Sequence, residues 1–252
     1  ALLHAVAVVK AGAFGIIRVV YEVYGIEFSQ HLGLLNILLV LSAVTILFGS
    51  IMALCQSDIK KRLAYSTVSQ VSYILLGIAL FGAMGTIGAL VHLVHQGVMK
   101  ITLFFCAGAF AKIHNIKKVE ELDGLAKVMP FGALAFSIAA LGMIGIPPTA
   151  GFVSKYYLAM GAYENELISI LGVLALSSIL NAMYFLPLLY RIWFLAPQVL
   201  HTPAIELRGI NAALVAPALV TMLFTLLLGL FALSDLSALS WAQKIVELEY
   251  RP

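Results

Sequence analysis

Residues 91–105 read VHLVHQGVMKITLFF. Leu, Val, Ile, Met and Phe fill this stretch as they fill a helix dissolved in lipid. Four residues do not suit hydrocarbon: His92, His95, Gln96 and Lys100. An ammonium at the centre of a bilayer costs about 2.5–3.5 kcal/mol on insertion scales. On an α-helix His92, Gln96 and Lys100 follow at i, i+4 and i+8, drifting about 80° around the axis over roughly 12 Å of rise. His95, three residues after His92, joins the same side. The stretch predicts a membrane helix with a polar ladder that faces protein or water rather than lipid.

The rest of the chain fits that reading. Of 252 residues, 62% are hydrophobic and 11% charged, with mean hydropathy +1.04; a soluble domain carries about a quarter charged residues. Apolar runs recur near 2–24, 32–56, 62–82, 85–111, 130–162, 166–194 and 209–234. They predict an all-α, polytopic transmembrane helix bundle of about seven spans. Residues 1–235 form the transmembrane unit, and 236–252 an amphipathic tail. The chain opens on ALLHAVAVVK, with no Met and no basic run ahead of an apolar core. It is not a secretory signal, and it reads as starting within a helix of a longer protein.

Several chemistries lack their marks. There is no phosphate loop, no hydrolase elbow, no zinc-protease helix and no haem attachment motif, so no cofactor and no metal are expected. Cys55 and Cys106 lie in apolar runs without ligand spacing, as small buried hydrophobes do. The net charge of +3 is too small to suggest nucleic acid as a partner.

The fifth run is too long for a plain span and contains GMIGIPPTAGF, residues 142–152. Pro147 and Pro148 remove backbone donors, and Gly145 and Gly151 loosen the chain around them. A discontinuous helix is expected, broken at Pro147–Pro148. Broken backbone at membrane depth survives only inside protein or beside a watery cavity, so the break marks a candidate site.

The cations sort by position. Lys60, Lys61, Arg62, Lys112, Lys117, Lys118, Lys127, Arg191 and Arg208 flank loops 57–61, 112–129 and 195–208; only Arg18, Lys244 and Arg251 flank the other side. The first three loops are therefore expected in the cytoplasm. Lys10, Lys100 and Lys155 are left over, each inside an apolar run. Buried ionisable residues of this kind mark ion or proton paths. Imidazoles titrate near neutral pH, and an amine out of water gives up its proton more readily than one in water. A proton relay with water between the groups is expected. His4 and Lys10 lie six residues apart, about 120° around their helix, and suit successive links. Asp58, Lys60 and Lys61 read as a loop ion cluster, with Lys61 able to reach inward. Ser66, Thr67, Ser69 and Gln70 put a polar stripe on the third run. Loop 112–130 reads equally as a short amphipathic helix or as a solvated connector.

Four stretches carry a resemblance: ALLHAVAVVKAGAFGIIR (1–18), CQSDIKKRLAYSTVSQVSYILLGIAL (55–80), HLVHQGVMKITLFFCAGA (92–109) and GIPPTAGFVSKYYLAMGA (145–162). Together they resemble the proton-conducting antiporter-like membrane subunits. Those subunits occur in Mrp-type cation/proton antiporters, in the membrane arm of complex I and in energy-converting hydrogenases. The D-like subunit of Mrp antiporters is the nearest in appearance. The resemblance covers residues 1 to about 195 and implies the second half of a core of about fourteen helices in two inverted repeats. It places the family's central lysine at Lys100, its broken-helix lysine at Lys155 and its bridging histidine at His4. Lys10 matches a lysine of the Mrp-like branch, and Asp58 with Lys60 match the family's DIK turn. The family's first-half glutamate and lysine fall upstream of residue 1. Gln96 stands where several relatives have a histidine, and it cannot be protonated at physiological pH.

Three readings stay open. The chain is a proton-translocating subunit of a multisubunit cation/proton antiporter. Alternatively it is the proton-pumping subunit of a complex I-like quinone reductase or a hydrogenase. In the third, it is a structural bundle whose lysines pair with acids elsewhere. In the first two it has no redox centre of its own. Its partners are other membrane subunits, the bilayer, protons and in the antiporter case Na⁺, and its place is the inner (plasma) membrane.

Overall fold

A computed structural model describes residues 8–197 and 209–250. Helix α1 (Val9–Arg18) runs into a π-helical turn (Val19–Tyr24), and a short α2 (Ile26–His31) leads into α3 (Leu34–Leu54). Helices α4 (Ile59–Ala79) and α5 (Ala83–His114) follow. After a 3₁₀ turn (Val119–Leu122) and a single turn α6 (Leu125–Val128) come α7 (Pro130–Ile144), α8 (Ala150–Glu164), α9 (Ile168–Phe194), α10 (Gly209–Leu230) and α11 (Ala238–Glu249). Each expected apolar run from 32 onward coincides with one of these helices or, for 130–162, with α7 and α8 together; the run 2–24 is described only from residue 8, as α1 and the π-helical turn. Among the described residues there is no strand, only an isolated bridge between Asp58 and Lys118.

Helices α3, α5, α9 and α10 are long and apolar enough to cross a membrane. Helix α4, at 21 residues, is about 31 Å long and matches a hydrocarbon core in length, but it carries a polar stripe. Its ends are set by local chemistry. Asp58 caps the start, its carboxylate accepting the Lys61 N–H at 2.9 Å. Pro130 opens α7, where a missing N–H costs nothing. Gly145 ends it at φ +97, a backbone conformation that side-chain-bearing residues rarely adopt.

Helix α5 sits at the centre, packed against α4, α7, α8, α10 and α11. Small residues carry these contacts, as they do between membrane helices generally. On the α3–α4 seam the Ser50 and Ser69 hydroxyls meet at 2.9 Å. On the periphery Val40, Leu41, Val44 and Phe48 of α3, with Ile179 and Leu186 of α9, stay exposed as a lipid-facing surface requires.

The two ends of the bundle are distinct. At one, Val119 N–H donates to Ser57 O and Ile59 N–H to Lys117 O, both at 2.9 Å. Arg191 pairs with the buried Asp123 at 2.9 Å. So loops 57–61 and 112–129 lie together, with Arg191 beside them. Loop 112–129 is not a solvated connector: two short helical turns bury Val119, Leu122, Leu125 and Val128 against the bundle. Glu121 accepts the backbone N–H groups of Lys118 and Lys117, which hold its carboxyl below the usual range. At the other end α11 buries Leu239, Ala242 and Val246. There the Tyr250 hydroxyl accepts the Gly82 N–H at 3.2 Å and meets Thr86 Oγ1 at 3.0 Å.

The break between α7 and α8 is a close fold-back. A Cβ at Gly151 would run into the Gly142 carbonyl oxygen, whereas one at Gly172 on α9 would meet nothing within 4 Å. Gly151→Ala is expected to cost about 1–3 kcal/mol through overpacking. Gly172→Ala is expected to be neutral or slightly stabilising, since alanine favours a helix over glycine. Thermal unfolding of the purified protein separates the two, and equal midpoints would contradict the packing described.

Candidate functional site

The polar ladder of α5 fans out between two neighbours. His92, His95, Gln96 and Lys100 are all buried to 1% exposure or less. His92 Nδ1 meets Ser154 Oγ at 2.9 Å, and His95 Nδ1 meets Ala150 O at 2.7 Å, so both imidazoles face the start of α8. Lys100, further around the helix, turns to α4. Its ammonium donates to Leu63 O at 3.1 Å and to the Ser66 hydroxyl. The Ser66 and Thr67 hydroxyls both bond back to Leu63 O.

The helix break builds the site of Lys155. The last carbonyls of a helix have no intrahelical donors, and the helix dipole makes that end negative. Lys155 folds back across the break and donates to Met143 O at 3.0 Å and Ile144 O at 2.9 Å, with Ser178 Oγ at 3.3 Å. Its ammonium also lies 5.5 Å from the centre of the Tyr73 ring, and that ring lies 5.3 Å from His92. The Lys155 stem lines a cavity of about 530 Å³ with Gly145, Tyr73, Phe152, Tyr156 and Ser178. Pro147 and Pro148 lie in the break itself.

Lys10, on α1, is 7% exposed and donates to Leu93 O at 2.7 Å. Its ammonium fills the space where a side chain at Gly97 would lie. His4, Arg208 and Arg251 lie outside the described residues. None of Lys10, Lys100 and Lys155 has a carboxylate at ion-pair distance among the described residues, where the ion pairs are Arg18–Glu22 and Arg191–Asp123. The third reading, a structural role by pairing with acids, therefore finds no partner within the described chain.

Two expectations need correction. Lys60 is exposed, as a loop residue should be, and Lys61 beside it is exposed as well and does not reach into the bundle. Arg62 does, donating to Leu54 O, Gln56 O and Tyr184 O and so joining α3, α4 and α9. The reason is rotation: successive residues on a helix are 100° apart, so only one of three neighbours faces inward. Cys55 is exposed at the end of α3, while Cys106 is buried.

Another polar stripe, on α9, escaped the sequence reading. Ser177, Asn181 and Tyr184 are fully buried, at i, i+4 and i+7 on one face of an apolar helix. Tyr184 donates to Asn181 Oδ1 at 2.5 Å, Asn181 Nδ2 to Met143 O at 3.4 Å, and Tyr73 to Ser177 Oγ at 2.7 Å. The spacing of SSILNAMY was the available signal. Close by, the side-chain amides of Gln70 and Gln96 and His92 Nε2 make no hydrogen bond within the protein. Buried polar groups of this kind are met by ordered water.

The arrangement is thus a set of buried or half-buried amines and imidazoles held by carbonyl and hydroxyl oxygens. Residues 1–181 match the family described as NADH:quinone oxidoreductase/Mrp antiporter, transmembrane. NADH-quinone oxidoreductase subunit N of Desulforudis audaxviator is 40% identical over 185 residues, covering 72% of this chain and 36% of that protein. The putative antiporter subunit mnhD2 of Staphylococcus aureus is 35% identical over 195 residues, covering 77% and 38%. A chain in the structure of the Mrp complex from Dietzia sp. DQ12-45-1b superposes with a TM-score of 0.77 at 29% identity, covering 86% of this chain and 48% of that one. This chain spans 36% and 38% of the length of those two curated relatives.

Proposed function

Because this chain belongs to the NADH:quinone oxidoreductase/Mrp antiporter transmembrane family, we propose that it is a proton-translocating membrane subunit of a multisubunit cation/proton antiporter. The observation that carries the reading is the set of ammonium groups on the buried Lys10 and Lys100 and the half-buried Lys155, held by neutral oxygens with no acid beside them among the described residues. An amine so placed takes up and releases a proton without first breaking an ion pair. Lys10, His92, His95, Lys100 and Lys155 are the relay residues, with His4 as a further link. Gln96 and Gln70 hold water between them. Asp58 shapes the start of α4, and Gly145, Pro147, Pro148 and Gly151 shape the turn that seats Lys155.

The transmembrane unit takes in residues 1–235, and 236–252 form an amphipathic tail lying across the end opposite the cation-rich loops. The clustering of those loops supports their being cytoplasmic, in a plasma membrane. Other membrane subunits complete the machine. A second reading rests on the 40% identity to a quinone oxidoreductase subunit: the same relay driven by redox chemistry in partner subunits.

The test uses the intact complex in vesicles holding a pH-sensitive dye. A Na⁺ pulse is expected to dissipate an imposed pH gradient. Lys10→Met is expected to slow this about tenfold, a change of roughly 1.4 kcal/mol in barrier, with the complex still assembled. Proton movement on quinone reduction alone would transfer the case to the second reading. Proton movement in neither assay would end both.

A further inference from the structure

Helix α5 carries glycines at 85, 88, 97 and 108, and their surroundings differ. A Cβ at Gly85 would strike the Gly77 carbonyl oxygen of α4, and one at Gly88 the backbone nitrogen of Leu158 on α8. Those two glycines let neighbouring helices approach closely. A Cβ at Gly108 would meet nothing within 4 Å. At Gly97 it would fall on the Lys10 Nζ, and beyond α5 itself the Lys10 Cε is the other atom within 4 Å among the described residues. No helix packs into the notch at Gly97; an ammonium does.

Helix geometry explains the need for glycine there. Each Cα–Cβ bond leans towards the helix N-terminus, over the preceding turn. A side chain at 97 would therefore lie beside the carbonyl of Leu93, four residues earlier. In an α-helix that oxygen takes the N–H of residue 97, but a carbonyl has a second lone pair. Lys10 uses it, donating to Leu93 O at 2.7 Å. A methyl group at 97 would take the place of Nζ and deny the amine that oxygen. An interior glycine weakens a helix relative to alanine, and at 97 no helix–helix contact offsets the loss. We propose that Gly97 is a positioning residue: it opens a notch in α5 that seats the Lys10 ammonium on Leu93 O and so fixes where Lys10 joins the relay.

The proposal rests on the relay reading given above and deepens it. Helix α1 packs against α4, so the Lys10 side chain is an arm laid across to α5. Leu93 follows His92 and Gly97 follows Gln96, each about 100° further around the helix. The notch thus brings the ammonium to the flank of the polar ladder. His92 Nε2 and the amides of Gln96 and Gln70 have no hydrogen bond within the protein, and ordered water meets buried groups of this kind. Leu93 O is the acceptor that holds Lys10 among the described residues. An amine displaced from it keeps its charge and its helix but loses its fixed place beside that water.

The experiment puts Gly97→Ala, Gly108→Ala, Lys10→Met and the double variant Gly97→Ala/Lys10→Met into the intact complex and reads vesicle proton flux. Gly97→Ala is expected to slow flux about tenfold, as moving a reacting group off its seat does. Gly108→Ala, on the same helix, is expected to leave it unchanged. The double variant is expected to be no slower than Lys10→Met, because both changes act on one amine. The collision at 97 is with the free end of a flexible side chain, so Gly97→Ala is expected to assemble. If it does not, the double variant is expected to restore assembly, since methionine places no atom at the Nζ position. Full flux in Gly97→Ala beside a slow Lys10→Met overturns the notch and leaves the relay standing. Losses that multiply in the double variant, equal slowing by Gly108→Ala, or a double variant that still fails to assemble also overturn it. Full flux in Lys10→Met removes Lys10 from the relay, and the notch with it.

Discussion

Lys100→Met is expected to stop proton movement while leaving the protein at least as stable as before. Methionine keeps the unbranched stem and omits the ammonium. The hydrogen bonds lost are those to Leu63 O and Ser66, and neither acceptor is stranded. Ser66 and Thr67 still donate to Leu63 O, at 2.8 and 2.9 Å, and the Ser66 oxygen is itself bonded through its own hydrogen. Removing a charge from membrane depth returns about 2.5–3.5 kcal/mol on insertion scales, which more than offsets the lost contacts. Transport moves the other way. A group that carries the proton in person is worth roughly a hundredfold or more. The measurement pairs vesicle proton flux with thermal unfolding of the purified complex. A structural lysine would show the opposite pattern, with a lower unfolding temperature and normal flux.

What the sequence disclosed and what it withheld follow from cost. Lys10, Lys100, Lys155 and the two histidines stood out because an ionisable group in hydrocarbon is expensive, so its presence needs a reason. The break stood out because Pro147 and Pro148 cannot continue a ladder of N–H donors. The stripe of Ser177, Asn181 and Tyr184 did not, because hydroxyls and amides are tolerated in membrane helices for packing alone. That Lys61 stays outside while Arg62 enters depends on a carbonyl of α9, 122 residues away in sequence, which local pattern cannot see. The same holds for the fan of α5. Spacing put His95 and Lys100 on one broad side; only the positions of α8 and α4 show that the side has two neighbours. The π-helical turn at Val19–Tyr24 had no local mark either.

Lys155→Met is expected to abolish transport as fully as Lys100→Met but to destabilise the protein. The difference lies in what each ammonium leaves behind. Lys155 serves the C-terminal end of α7, where the part-buried Met143 O and Ile144 O have no helical donors. Without it, Asn181 still reaches Met143 O, at 3.4 Å, while Ile144 O loses the side-chain donor it had. A stranded buried acceptor costs about 1–3 kcal/mol, and the helix end loses the cation that its dipole favours, worth a further ~0.3–1 kcal/mol. Water entering from the adjoining cavity of about 530 Å³ can recover part of this. The unfolding temperature of Lys155→Met should therefore fall below that of Lys100→Met, with flux lost in both. Arg at 155 separates the two roles. Lys155→Arg keeps a permanent cation at the α7 terminus, so it should restore the stability; a guanidinium does not release its proton, so flux should stay absent. If Lys155→Arg transported protons normally, the group at 155 would be a fixed charge that shapes the path, and the proton would have to travel past it on other residues.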